Sequence, residues 1–169
     1  YKNIKKERLS MEEILELLEN NAKLTEEQIA VMLGKSVDEV KEAIKKYEED
    51  NVIAGYTAMI NWEKTDKESV TALIELKITP QRGEGFDKVA ERIYRYPQVK
   101  ACYLMSGGFD LTVIVEGRTM KEVALFVAMK LAPLENVLST ATHFVLKKYK
   151  DKGTIFEEKT KDDREAIIL

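Results

Sequence analysis

Two glycines and an acid interrupt a strongly apolar stretch between Leu104 and Val115, which reads LMSGGFDLTVIV. Gly107 and Gly108 let a ligand approach main-chain amides closely, and the Asp110 carboxylate beside them can hold a ligand ammonium. The same residues also suit a plain hairpin, because glycine accepts the positive φ of a tight turn and aspartate bonds readily to nearby backbone amides. Both readings stand on these residues alone.

The other groups able to do chemistry are few. His143, the single histidine, falls on a strand between Thr142 and Phe144 with Ala141 and Val145 on its own face, and reads as a packed sheet residue. Cys102, the single cysteine, alternates into a strand beside Ala101 and Tyr103 as a buried, inert thiol. One cysteine excludes an internal disulfide, and one cysteine with one histidine cannot build a Cys/His zinc set. Catalysis requires a nucleophile with an oriented base, or metal ligands at working spacing, and neither pattern occurs. No enzyme, catalytic residue, metal site or cofactor is therefore expected. Met120, Phe126, Met129 and Trp62 read as core or interface positions.

The elements that position the glycine turn change period along the chain. Ser10 with Glu13, Thr25 with Gln28 and Ser36 with Glu39 each fit the capping box, whose two side chains satisfy orphan amides at a helix start. Ile14, Leu15, Leu17 and Leu18, then Ile29, Ala30 and Leu33, then Val40, Ile44 and Tyr47 give each helix one apolar face. Gly34 stops the second helix just before Ser36 starts the third, leaving the short turn and sharp crossing of a helix-turn-helix. The run Val52 to Glu68 alternates like a short strand and then becomes charged.

From Ser69 the period is two. Val70, Ala72, Ile74, Leu76 and Ile78 line one face of a strand that Pro80, Gly83 and Gly85 end. Phe86, Val89, Ala90 and Ile93 mark a helix, and strands Val99 to Met105 and Phe109 to Val115 flank the glycines. A fourth capping box, Thr119 with Glu122, opens a helix that runs to Pro133, and Thr140 to Tyr149 forms a last strand. The fold class is α+β: a three-helix, winged-type helix-turn-helix domain followed by a ferredoxin-like βαββαβ domain with a four-stranded antiparallel sheet. With both helices on one face, the other face is apolar enough to need a partner, so dimerisation is expected. The expected boundaries are 1–60 for the helix-turn-helix domain, 61–68 for a linker, 69–152 for the ferredoxin-like domain and 153–169 for a tail. Ile155, Phe156 and Ile167 to Leu169 suit a tail that straps onto a partner subunit, while its polarity equally suits a free, disordered tail.

Bulk properties narrow the class of protein. The 169 residues are 44% hydrophobic, ample for packed cores. No apolar run approaches the roughly 18 to 20 residues that span a bilayer, which excludes a membrane helix and points to the cytoplasm. Lys+Arg 27 against Asp+Glu 30 gives a net charge of −3, so any nucleic-acid contact must come from a local patch.

Taken with its motifs, the chain resembles the Lrp/AsnC family of bacterial and archaeal transcriptional regulators over roughly residues 9–150. Ala30, Gly34 and Val40 stand five, nine and fifteen places into a helix-turn-helix pattern. Asn51 to Asn61 (NVIAGYTAMIN) resembles the family's segment after the recognition helix, and SGGFDLTVIVEG resembles its strand-turn-strand signature. VLSTATHFVLKKYK resembles its last strand, with two alternating threonines. The resemblance implies a regulator that binds double-stranded DNA as a dimer, often assembled into octamers, and takes an amino acid or similar small molecule between dimers near the glycine turn. Carried over by residue, the effector-binding candidates are Ser106, Gly107, Gly108 and Asp110, with Thr140 and Thr142. An amino acid suits them, since Asp110 can accept from its ammonium and glycine amides can receive its carboxylate.

On the DNA side, Lys35, Ser36, Lys41 and Lys45 are the candidate contacts, joined by a basic arm of Lys2, Lys5, Lys6 and Arg8. The recognition helix sets Asp38, Glu39, Glu42, Glu48, Glu49 and Asp50 against Lys41, Lys45 and Lys46. Residues 1–55 hold nine basic and thirteen acidic side chains, a net of −4 within a chain of −3. Each unpaired acid near phosphates opposes the counterion release that drives DNA affinity. Some acids have structural duties: Glu39 completes a cap, and Asp38 and Glu39 complement a helix dipole. The alternative reading is a metabolite-binding oligomer whose acidic helix-turn-helix no longer binds DNA.

Overall fold

Three short helices, each with one apolar face, bury those faces against one another because none can do so alone. The computed structural model describes residues 12–80 and 85–156. The chain divides into two units, Tyr1–Met59 and Ile60–Leu169. In the first, α1 (12–20), α2 (Glu26–Leu33) and α3 (Val37–Glu49) enclose Ile14, Leu18, Ile29, Ala30, Val40 and Ala43. Thr25 and Ser36 close reciprocal capping boxes with Gln28 and Glu39. Gly34 takes the left-handed conformation (φ 63°), and Lys35 N–H returns to the Ala30 carbonyl at 2.9 Å, which ends α2 sharply. Ser10, the basic arm, Gly83 and Ile167 to Leu169 lie outside the described residues.

The expected short strand after α3 does not form. Asn51 turns the chain at φ 53°, and Ile53 N–H bonds the Tyr47 carbonyl at 3.0 Å, folding the segment back onto α3. Residues 54–61 then run without a ladder partner, so their alternation has nothing to pair with.

The second unit follows the order β1 (Val70–Ile78), α4 (Asp87–Tyr94), β2 (Val99–Leu104), β3 (Leu111–Gly117), α5 (Met120–Phe126) and β4 (Val137–Phe144). A π-helical turn, Val127–Leu131, prolongs α5. All pairs are antiparallel and the sheet order is β2-β3-β1-β4, the ferredoxin-like arrangement. β5 (Lys150–Asp151) and β6 (Thr154–Ile155) make a separate small hairpin around Lys152 and Gly153, both at positive φ, in place of a free tail over those residues.

Strand limits depart from expectation for reasons of partnership. β4 stops at Phe144, not Tyr149, because β1 begins at Val70 and offers only the Thr71 carbonyl to Val145. It starts earlier, at Val137, opposite Ile78. β2 and β3 leave 105–110 between them, a longer loop than the glycines suggested. At Thr119 the cap is displaced by one residue: Thr119 Oγ1 accepts the Glu122 N–H, but Glu122 accepts the N–H of Arg118.

One sheet face carries Ala72, Ile74, Leu76, Ile78, Leu111, Val113 and Val115 against the buried residues of α4 and α5. Tyr96 and Phe126 meet edge to face at 5.3 Å between these helices. Among the described residues of this unit no helix packs on the opposite face, which is more mixed than its sequence suggested. Leu73 pairs with Ile114 and His143, and Glu75 with Thr112 and Ala141. His143 is not packed: its side chain is 57% exposed, with Nε2 3.5 Å from Glu75. Of the expected core or interface positions, Phe126 is buried while Met120, Met129 and Trp62 are exposed.

Gly117, where β3 meets the α5 cap, has no room for a side chain, since a Cβ there would lie 2.9 Å from Val123 Cγ2 in the buried core. Gly117→Ala is expected to cost about 1 to 3 kcal/mol through overpacking. Urea unfolding should show a lower midpoint at an unchanged slope; an unmoved midpoint would mean that the α5 start shifts freely.

Candidate functional site

The glycine turn is built on the end of β1. Met105 N–H bonds the Asp110 carbonyl at 2.8 Å, closing a four-residue connection, Ser106 to Phe109. Asp110 N–H then bonds the Leu76 carbonyl at 2.9 Å, and Asp110 Oδ2 accepts the Ile78 N–H at 2.7 Å. That amide lies where the β1–β4 register shifts, between Lys77 and Ile78. The carboxylate therefore does the work of a missing ladder partner, because a buried amide left unpaired is costly.

The glycines differ from each other. Gly107 has φ 149°, a conformation that side chains rarely adopt, so the turn itself demands glycine there. Gly108 has no such φ, and a Cβ built on it meets nothing within 4 Å. Among the described residues, neither φ nor packing gives a reason for glycine at that position. Ser106, Gly107 and Gly108 are all exposed, whereas Asp110 is half-buried.

The two threonines are only partly gathered with the turn. Thr140 pairs with Leu76, the residue whose carbonyl receives Asp110, and so stands at the same end of the sheet two strands from Leu111, about 10 Å away. Thr142 lies one step further along, opposite Ile74. Both are half-buried and share the helix-covered face with Ile74 and Leu76. Cys102, packed on the edge of that core, has its thiol pushed up in pKa by burial, which leaves it the protonated, inert form.

On α3, Val40 and Ala43 face the core, so the helix exposes Asp38, Lys41, Glu42, Lys45 and Glu49. Lys41 and Lys45 are accessible, Lys35 is half-buried at the α2 end, and Lys45 Nζ lies 3.7 Å from Glu49. That pair is exposed on both sides and weak, so a phosphate can compete for the lysine. Ser36 is committed to its cap: the hydroxyl accepts the Glu39 N–H and donates to Glu39 Oε2 at 2.7 Å. The Ser36 backbone N–H, then its hydroxyl, hold the Glu39 carboxyl below its ordinary pKa. A depressed carboxyl stabilises above its unfolded pKa and loses that contribution as pH falls through the folded one. Glu39 thus stays ionised at the helix start at neutral pH, as a cap requires.

Comparison with known proteins decides what these parts compose. Residues 71–155 match the Lrp/AsnC ligand binding domain, and residues 10–54 match a winged helix-turn-helix DNA-binding domain. The chain is 52% identical over 158 residues to an uncharacterized HTH-type transcriptional regulator of Bacillus subtilis, YugG, covering 93% of this chain and 94% of the relative. The chain belongs to the Lrp/AsnC family of transcriptional regulators. An HTH-type transcriptional regulator of Pyrococcus furiosus is 32% identical, covering 82% of this chain and 90% of its own. Among solved structures, a transcriptional regulator of Neisseria meningitidis in complex with L-methionine shares the fold, with TM-score 0.69 and 22% identity over 84% of this chain and 91% of that one. This Lrp/AsnC regulator has, among its described residues, no helix long and apolar enough to cross a membrane. The Asp110–Ile78 hydrogen bond carries no local sequence signature, since its ends lie 32 residues apart.

Asp110→Ala strands the Ile78 amide and is expected to cost about 1 to 3 kcal/mol, while Asp110→Asn keeps an acceptor oxygen and most of that stability. Paired urea melts check this. Equal losses in both variants would show that the charge, not the acceptor, holds the β1 end.

Proposed function

We propose that this regulator binds double-stranded DNA through the accessible lysines of the helix-turn-helix and senses a small effector, in class an amino acid, at the glycine turn. Residues 1–60 serve as the DNA-binding part and 69–152 as the effector and oligomer part. The observation that carries the effector site is Gly108, whose missing side chain serves neither φ nor packing in the single chain. Close approach of a ligand to its amide supplies the reason. Asp110 retains Oδ1 for an ammonium while Oδ2 holds Ile78. Ser106 belongs to the same turn, and Thr140 and Thr142 would contribute from β4 at that end of the sheet. The L-methionine bound by the Neisseria protein of like fold agrees in class.

Because Ser106, Gly107 and Gly108 face solvent, the ligand's remaining surface must be covered by another subunit. The sheet face opposite α4 and α5 supports assembly. Leu73 and Ile114 sit at its centre, and Thr112 Oγ1 is buried there with no hydrogen-bond partner among the described residues. A homodimer, extended to a larger ring such as an octamer, covers this face and presents paired helix-turn-helix units to neighbouring half-sites. Pairing raises effective concentration, which offsets a modest contact from each acidic domain. The effector acts by preferring one assembly over another. We assign it no catalytic role and place it in the cytoplasm.

The six acids of the α3 segment favour one other reading, a metabolite-binding oligomer that has lost DNA binding. Salt dependence separates the two. With Lys41→Ala and Lys45→Ala combined, the log–log salt slope of DNA binding should become shallower by about 2, with affinity lost evenly across sequences. Weak binding that ignores both substitutions would support the other reading. Gly108→Ala should fold normally yet weaken the effective amino acid, as read by calorimetry; unchanged affinity would remove the turn from the effector site.

A further inference from the structure

At the end of β1 away from the glycine turn, a recess of about 150 Å³ opens between three segments of the second unit. Trp62, Val145, Leu146 and Phe156 give it apolar walls, and Thr71 and Lys67 lie at its edge. Thr71 is seven residues before Ile78, so the recess stands about 23 Å from the amide that Asp110 holds. Hydrogen bonds fix its walls. Asn61 Nδ2 donates to the Phe156 carbonyl at 3.4 Å, and Phe156 N–H bonds the Tyr149 carbonyl at 3.0 Å. Lys148 Nζ, 5.9 Å from the Phe156 ring centre, is anchored to Asp151 at 3.3 Å.

Lys67 is the informative group. Its ammonium sits 3.8 Å over the Trp62 ring, and among the described residues it makes no ion pair with a carboxylate. A cation resting on an exposed ring is held weakly enough for an anion to claim it. The hydroxyls of Ser69 and Thr71 add donors at the same rim, and lysines outnumber Glu63 and Glu116 in the lining. The volume sets the ligand's size. A cavity of this order accommodates a benzene-sized molecule, so a nucleotide does not fit and a short branched acid does. We propose that this recess is a second small-molecule site, separate from the glycine turn, for a small organic monocarboxylate. Lys67 receives the carboxylate, and Trp62, Val145 and Leu146 take the apolar body. The proposal does not depend on what the glycine turn binds.

Trp62 is the chain's single tryptophan, so its emission reports on the surroundings of this ring in the recess. The full chain is titrated with 4-methylpentanoate and, as a neutral control, 4-methylpentanamide, following Trp62 fluorescence and calorimetric heat together. A saturable change at millimolar acid or below is expected, with none for the amide. Lys67→Met should weaken the acid about tenfold or more by calorimetry, and Asp110→Asn should leave it unchanged. Equal binding of acid and amide overturns the proposal, as does silence in both signals. Loss of binding in Asp110→Asn with retention in Lys67→Met would assign the ligand to the glycine turn instead.

Discussion

A strand at the centre of a sheet must give its buried backbone amides partners, and at the last residue of β1 a side chain supplies the partner. From Ala72 to Leu76 it is laddered on both sides by β3 and β4, and its alternate side chains Ala72, Ile74, Leu76 and Ile78 fill the core beneath α4 and α5. At Ile78 the register with β4 slips, and the Asp110 carboxylate accepts that amide. The acid that can meet a ligand is thus the acid that finishes the sheet. With the effector site proposed above, ligand contact and strand end would share one side chain, a direct mechanical route from the turn into the central strand. The further recess lies at the other end of the same strand.

The helix-turn-helix unit works under an opposite constraint. Its caps and charges make a well-formed helix: Glu39 is spent on Ser36, and Lys45 leans toward Glu49. These devices stabilise α3 while leaving few uncommitted cations for phosphate. Since counterion release scales with the phosphates neutralised, a single such unit is expected to bind DNA modestly and to gain from a partner in register. In the function proposed above, assembly through the ligand-binding domain would set DNA affinity, and an effector that shifts assembly would shift regulation.

What could be read from the sequence was what is locally determined. The Thr25–Gln28 and Ser36–Glu39 boxes involve residues three apart, and the buried side of β1 follows from alternation alone, so both appear where expected. The order βαββαβ followed from successive period changes in the same way. Features that depend on a distant partner were not legible. The end of β4 is set by where β1 begins, and the exposure of His143 by which sheet face the helices cover. Asp110 suggested both a turn and a ligand group, but its bond to Ile78 crosses 32 residues. The recess at Trp62 needs Asn61 and Phe156, 95 residues apart, to meet.

The central claim is that effector and DNA affinities are coupled through this fold, and reciprocity tests it most directly. DNA affinity would be measured at one fixed salt concentration with and without a saturating amino acid identified by calorimetry. The amino acid's own affinity would then be measured with and without DNA. The account predicts the same factor in both directions, of the order of 5- to 150-fold. An amino acid that binds at the glycine turn while DNA affinity stays constant would contradict it.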